Sequence, residues 1–322
     1  MSALAELYSP TADHSLAFAY AEWQQSQRLL EALRAVDSDL SETPVILENA
    51  LMGRALTLDA PTPSSLLDAL TRADLEGAGA GQRTEAIWEA LRSVRESEVA
   101  RADEPVLRLE ANHLWAGDFS LERVAPVDRL LRFASERYDE PTALRYLASC
   151  ALTYAAVYAK TRHIGPPQSV YDDFHRWGVR NEGFASPFNA RLLGKQDAGF
   201  FSLFPHVDHV FGSRGSFYRT DLASHEGAWS VDPPFIPETL SRAERKIADW
   251  MAAGAAAPVI WIGPSSYRVS LPVREHVRLR AGVHSYEALD GGLHLLPVDV
   301  SILLIGELPG FDAKAIVSGY TR

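Results

Sequence analysis

The chain has 322 residues, 47% of them hydrophobic and 23% charged, a composition that allows a substantial core and fits an ordinary globular protein. Its formal net charge of −11 argues against a protein that coats nucleic acid along its whole surface. The only cysteine, Cys150, excludes an intramolecular disulfide and a multi-thiolate metal site.

The acidity is concentrated early, with 25 acidic against 16 basic residues over 1–163. The opening "MSALAELYSPTADHS" has neither the basic start nor the long apolar run of a signal peptide. No run reaches the roughly 18–20 apolar residues of a membrane helix. The expectation is a protein of the reducing cytoplasm, away from membranes.

The first half reads as helical. Over 15–36, Leu16, Ala19, Tyr20, Trp23, Leu29, Leu30 and Leu33 recur at helical spacing, with Ser15 or Asp13 as the cap. The same period runs through 64–75 and 82–102, joined by the glycine-rich "EGAGAG" at 76–81. Further helices are predicted at 126–137 and 141–160. Cys150 falls in the last of these, in an apolar run where a small buried hydrophobe is its expected role.

The pattern changes near "RHIGPPQSVYDDF" (162–174). Short β-branched or aromatic runs then alternate with helical segments, as in an α/β domain. Strands are predicted to end at Pro187, to cover Val207–Phe211 and Ala228–Val231, and to include "APVIWIGP" (257–264). A helix is predicted over 237–255, and a strand pair or bulged strand over 293–307. The division expected is a helical domain at 1–163 and an α/β domain at 164–322.

The stretch "AWSVDPPFIPE" (228–238) stops a strand abruptly. Pro233 and Pro234 offer no N–H and fix φ, and Asp232 before them is biased to extended backbone. The plainest reading is a rigid strand exit. The alternative is a clamp, because an open α/β sheet binds ligands beyond the carboxyl ends of its strands. Four loops follow predicted strands: Ala185-Ser186-Pro187, Gly212 to Gly215, Asp232 to Phe235, and Gly263-Pro264. With parallel strands they share one rim, and a pocket of mixed apolar and polar lining follows.

The pattern (Asp/Asn/Ser)-Pro-Pro-aromatic resembles the signature of amino-methyltransferases that use S-adenosylmethionine. An exocyclic adenine amine is a poor nucleophile, its lone pair delocalised into the ring. Asp232 and the Pro233 carbonyl would accept its two N–H bonds, and Phe235 would stack on the base. Positioning and electrostatics can together supply much of such a barrier. The base must also be unpaired or flipped.

Four stretches then occur in order: "EGFASPFN" (182–189), "FPHVDHVFGSRGSF" (204–217), "DPPFIPE" (232–238) and "VIWIGPSSYR" (259–268). Together they resemble the methyltransferase core of the phosphorylated-CTD-interacting-factor family, the cap-specific adenosine-N6 methyltransferases, over roughly 165–307. The resemblance implies a Rossmann-like class I methyltransferase domain beside an α-helical domain, with S-adenosylmethionine as cofactor and the N6 of a cap-adjacent adenosine in RNA as target. It implies that Asp232, Pro233, Pro234 and Phe235 hold the adenine. Phe184, Ala185, Ser186, Pro187, Asn189, Phe211, Gly212 and Ser213 would line the cofactor site. The family's usual motif has Asn where this chain has Asp232, and its WW domain is not expected here. DNA adenine is the alternative substrate. A degenerate methyltransferase fold serving as an RNA-binding or assembly scaffold is the alternative role.

Other groups admit two readings. Asp208 would bond a ribose hydroxyl of the cofactor or sit on the surface. Asn189 would bond the cofactor or cap a helix. Phe211 to Gly215 would be a cofactor loop or a plain glycine turn. Arg268, Arg274, Arg278 and Arg280 form the one basic cluster, against the single acid Glu275. They would contact substrate phosphates or form a solvated face. His206, His209 and His225 lack the spacing of a zinc site, and no metal is expected.

Overall fold

The computed structural model describes residues 15–36, 103–157 and 163–321. The helices expected at 64–75 and 82–102 and the connector at 76–81 lie outside them. The chain divides into two compact units, Met1–Thr161 and Arg162–Arg322.

In the first unit, α1 (Leu16–Val36), α2 (Ala125–Ser135) and α3 (Glu140–Val157) fall where the helical period put them. α1 packs on α3, and Cys150 is buried in α3. The unit is not wholly helical, however. Between α1 and α2 runs an antiparallel three-stranded meander: β1 (Leu107–Glu110), β2 (His113–Ala116) and β3 (Phe119–Glu122). Its turns are the two-residue loops Ala111-Asn112 and Gly117-Asp118, with Ala111 and Gly117 at positive φ. Phe119 and Leu121 point inward and Ser120 and Glu122 outward. Strands of four residues are too short for that alternation to stand out against a helical background.

The second unit is mixed α/β. In chain order it contains α4 (Gln168–Arg176), β4 (Val179–Glu182), β5 (Gly199–Phe200), α5 (Pro205–Asp208), β6 (Ala228–Val231) and α6 (Pro237–Ala252). Then come β7 (Val259–Pro264), β8 (Val273–Leu279), β9 (Ser285–Glu287), β10 (Leu293–Leu295), β11 (Val300–Ile305) and α7 (Ala313–Tyr320). One six-stranded sheet has the order β5-β4-β6-β7-β11-β8, and β9 pairs separately with β10. β5, β4, β6 and β7 are parallel. β11 runs against β7 and against β8, so it is the reversed strand.

The sheet is covered on both faces. On one, Ala228, Ile260, Ile262, Val300, Ile302 and Leu304 pack with Val170, Tyr171 and Phe174 of α4 and Ile316 and Tyr320 of α7. On the other, Trp229, Val231, Val259, Trp261, Leu303 and Ile305 pack with Leu240, Ala243 and Ile247 of α6. Burial on both faces explains why β6, β7 and β11 read as continuous apolar runs.

Three expectations are corrected. The segment 207–211 is not a strand. Residues 205–208 form one helical turn and 209–211 a 3₁₀ turn, closed by Gly212 at φ +91°. Pro205 opens the helix, a position where its missing N–H costs nothing. Phe204, Val207, Val210 and Phe211 are buried at helical, not alternating, spacing. The strand expected to reach Pro187 stops at Glu182. α4, β8 and α7 were not anticipated: the two helices are short, and β8 is an exposed strand with only Val277 and Leu279 buried and so shows no apolar run.

Candidate active site

β4 and β6 are neighbours, and the chain adds β5 beyond β4 but β7 beyond β6. The strand order therefore reverses between β4 and β6, and the crevice at their carboxyl ends is where an open α/β sheet places a ligand. Here the strands close tightly. The Gly183 N–H donates to the Ser230 carbonyl at 2.8 Å. A Cβ on Gly183 would lie 2.9 Å from the Phe217 ring and 3.3 Å from that carbonyl.

β6 leads into Asp232-Pro233-Pro234-Phe235, as its prolines require. Asp232, Pro234 and Phe235 are half-buried and Pro233 is buried. Phe235 packs against the α4 and α7 face of the core. The prolines then hand over to α6, which opens at Pro237 with Glu238 in its first turn.

Around Asp232 stands a set of groups that sequence reasoning did not assemble. Glu182, the last residue of β4, is cross-strand partner to Ser230 and is buried. Its Oε2 accepts from the Leu192 N–H at 3.0 Å. Ser230 Oγ lies 3.0 Å from the Tyr171 hydroxyl. The Tyr286 hydroxyl donates to Asp232 Oδ2 across a long 3.4 Å. Tyr320 lies against Tyr286, with ring centroids 6.0 Å apart.

Burial, and then the Glu182 carboxylate, push the Asp232 carboxyl up to about 8, with the Tyr286 hydrogen bond pulling the other way. Burial first, and then the nearby carboxylates, push the Tyr171 hydroxyl well above its ordinary range, and burial with Asp232 does the same to Tyr286 and Tyr320. The three tyrosines come from α4, β9 and α7. Only Glu182 left a trace in the sequence, as the residue opening the Gly-Phe-Ala-Ser-Pro run.

The residues expected at the cofactor fall into three groups. Phe184 and Ala185 flank the β4 exit. Phe184 is half-buried, its ring 4.8 Å from that of Phe217, and the Ala185 N–H donates to the Phe201 carbonyl at 3.0 Å. Ser186, Pro187 and Asn189 form a local turn. Asn189 Oδ1 accepts from the Ser186 N–H at 2.7 Å, Asn189 Nδ2 donates to the Ile164 carbonyl, and Ser186 Oγ lies 2.9 Å from His163 Nδ1. Asn189 thus serves its own turn rather than capping a regular helix.

Asp208, Phe211, Gly212 and Ser213 form the third group, beside β5. They end or follow helical turns, not a strand, so the expected rim of four strand exits has three. Asp208 and Phe211 are completely enclosed. Asp208 is therefore not a surface residue. Ser213 Oγ is bonded to Ser202 Oγ at 2.7 Å, and Ser213 bridges to Phe200 at the sheet edge.

The basic cluster separates. Arg268, Arg274 and Arg278 are all exposed. Arg274 and Arg278 lie on β8, with β7 and β11 between them and β6. Arg274 pairs with Glu307, and Arg278 with Asp299 through Nε at 3.1 Å and a second guanidinium nitrogen. The acids come from the two ends of β11, which strand pairing brings alongside. The cluster is therefore not opposed by Glu275 alone. The register puts Arg274 at the end of the strands away from Asp232. Arg268 follows β7, whose carboxyl end is on the Asp232 rim.

Among the described residues no helix is long and apolar enough to cross a membrane, and no group of three or more His, Cys, Asp or Glu residues could hold a metal ion.

A family model described as the phosphorylated CTD interacting factor 1 WW domain matches residues 142–275. The match runs from α3 into β8 and so includes Glu182, the Phe-Ala-Ser-Pro run and the whole Asp232 to Phe235 motif. It starts earlier and ends earlier than the expected 165–307. Although the model carries the name of the WW domain, the elements it covers in the second unit are those of the α/β sheet. The similarity points to the phosphorylated-CTD-interacting-factor family over this middle part of the chain.

Proposed function

We propose that the second unit is a Rossmann-like, S-adenosylmethionine-dependent methyltransferase of adenine N6, acting on adenosine in RNA. The observation that carries this reading is the seat of Asp232-Pro233-Pro234-Phe235. It leaves a parallel strand at the place where strand order reverses, beside the exit of β4. The similarity over 142–275, which spans the motif and both strands, supports it.

In this reading the Asp232 side chain and the Pro233 carbonyl accept the two N–H bonds of the amine, and Phe235 bears on the face of the base. The prolines hold these acceptors in place before the substrate arrives, so less ordering remains to be done on binding. The residues present suit a sulfonium cofactor: the Glu182 carboxyl at the β4 exit for a cation, and the half-buried Phe184 ring beside it for the base. When bound, that cofactor supplies an electrophilic methyl group. The paired arginines of β8 take no part: Arg274 is at the far end of the strands, and Arg278, at the rim end but two strands beyond β7, is held by Asp299, which leaves Arg268 as the cationic candidate of the three.

The test is mass spectrometry of nucleosides from RNA and DNA oligomers incubated with the protein and isotope-labelled cofactor. Labelled N6-methyladenosine in RNA is expected. Label confined to DNA would move the substrate, and label in neither would remove the reading.

One observation favours a second role, that of a scaffold without cofactor affinity. Ser186 and Asn189 spend their polar atoms on their own turn and on His163 and Ile164, and Asp208 and Phe211 are enclosed. Calorimetry with S-adenosylhomocysteine separates the two, and absence of binding favours the scaffold.

A further inference from the structure

We propose that Glu182 and Asp232 act as one carboxyl pair holding a single proton at neutral pH, so that Asp232 meets its ligand as an uncharged acid with one acceptor and one donor oxygen. The adenine-amine reading supplies only the ligand's identity here. The pairing itself stands on the packing.

Side chains of directly paired residues in adjacent parallel strands lie on the same face of the sheet, and Glu182 is paired with Ser230. Asp232 is two residues beyond Ser230, which returns it to that face. The contact with Tyr286 agrees, since Tyr171, Tyr286 and Tyr320 all belong to the core on the α4 and α7 side. Two carboxyls thus lie on one face at the end of two neighbouring strands, near enough for the charge of one to act on the other.

The groups facing Asp232 are Glu182 from β4, Tyr171 from α4, Tyr286 from β9 and Tyr320 from α7. Arg191 acts on Tyr320, but its guanidinium is held by the Glu287 carbonyl at 2.9 Å and the Glu287 carboxylate at 3.7 Å. Glu287 therefore takes up that positive charge. Two carboxyls on one enclosed face repel each other when both are charged, and the pair keeps a proton. The long 3.4 Å contact suits this assignment, because a hydroxyl bonded to a full carboxylate is expected at about 2.5–2.7 Å.

A neutral Asp232 has a definite consequence. Its carbonyl oxygen accepts from an amine as an amide would, and its O–H can donate to a neighbouring acceptor, which an ionised carboxylate cannot do. The half-occupied pair also leaves one negative charge at the rim, where two would attract and trap cations more strongly.

The experiment is carbon-13 NMR of side-chain carboxyls in the whole protein, with the Asp232 resonance assigned by its loss in Asp232→Asn. A midpoint near 8 is expected, and Glu182→Gln should move it down. A wild-type midpoint in the ordinary carboxylate range near about 4 overturns the proposal, as does a midpoint that Glu182→Gln leaves unmoved. Should Glu182→Gln not fold, unfolding free energy against pH decides. Asp232→Asn should gain on the wild type steadily from about pH 4 to about pH 8, and a constant difference overturns the pair. Binding of S-adenosylhomocysteine is measured separately. Its absence removes the methyltransferase reading while leaving the shared proton to stand or fall on the NMR midpoint.

Discussion

The hydroxyl of Tyr286, on β9, lies 3.4 Å from Oδ2 of Asp232, at the end of β6, so residues 54 positions apart in the chain share one hydrogen bond. Of the contacts that set the protonation of Asp232, it is the one that favours the charged form. Tyr286→Phe should therefore raise the Asp232 midpoint above about 8. The sign for stability follows. A folded value above the unfolded one means that stability is fullest below about pH 4 and falls as pH rises towards the folded value. In Tyr286→Phe the fall should continue to higher pH than in the wild type. Urea unfolding at intervals between pH 6 and pH 10 reads this directly.

Removing the carboxyl and removing the ring should have separable effects. Asp232→Ala should lower methyl transfer far more than it lowers affinity for S-adenosylhomocysteine, since it deletes an acceptor for the amine. Phe235→Ala should weaken nucleotide binding by roughly 1–3 kcal/mol if the ring stacks on a base. The same substitution should also cost stability, because Phe235 packs against the α4 and α7 core. Binding assays on protein shown to be folded separate the two losses. Unchanged affinity would assign Phe235 to the core alone.

The arginines of β8 give a prediction opposite to the one their sequence invites. Arg274 and Arg278 are matched by Glu307 and Asp299, and exposed pairs of this sort contribute about 0–1 kcal/mol. Neutralising both should leave the salt dependence of RNA binding unaltered. Neutralising Arg268 should make it shallower, the slope falling by about one for each phosphate that no longer meets a positive charge. Filter binding across a range of salt concentrations makes the comparison.

Like the less buried His225, His163 is an acid-sensitive group of the second unit. Burial holds its imidazole down to about 3. The unfolded chain takes up that proton near pH 6.5, so the folded state is penalised progressively as pH falls from about 6.5 towards 3. His163→Gln should lose this slope between pH 6.5 and 5, before most carboxylates titrate. A thermal-unfolding series at those pH values checks it, and parallel curves would assign the acid sensitivity elsewhere.

The parts legible in the sequence were those governed by local chemistry. Pro233 and Pro234 end a strand whatever surrounds them, so the exit of β6 and the start of α6 could be read directly. The helices at 16–36, 125–135 and 140–157 carried enough turns for their period to show. What escaped was short or remote. Phe204 to Phe211 is a brief stretch in which His206, Asp208 and His209 interrupt the apolar residues, too short for either period to show. Tyr171, Tyr286 and Tyr320 follow no spacing relative to Asp232, since packing alone brings them there. The acids beside Arg274 and Arg278 became visible only when β11 was found between β7 and β8.

The prolines on either side of Phe235 carry a thermodynamic implication. Pro233, Pro234 and Pro237 restrict this segment even in the denatured chain, so little entropy is left to lose when the motif takes shape. One bank of the crevice is therefore stiff by covalent constitution. Tyr286, which contacts Asp232, belongs to a two-stranded ribbon of three residue pairs whose β10 side faces water at Leu293 and Leu295, while β9 is anchored by Tyr286 in the core and by the two backbone bonds that Glu287 exchanges with Gly165. Local opening at this edge should therefore begin in β10 and leave β9, with its hold on Asp232, in place.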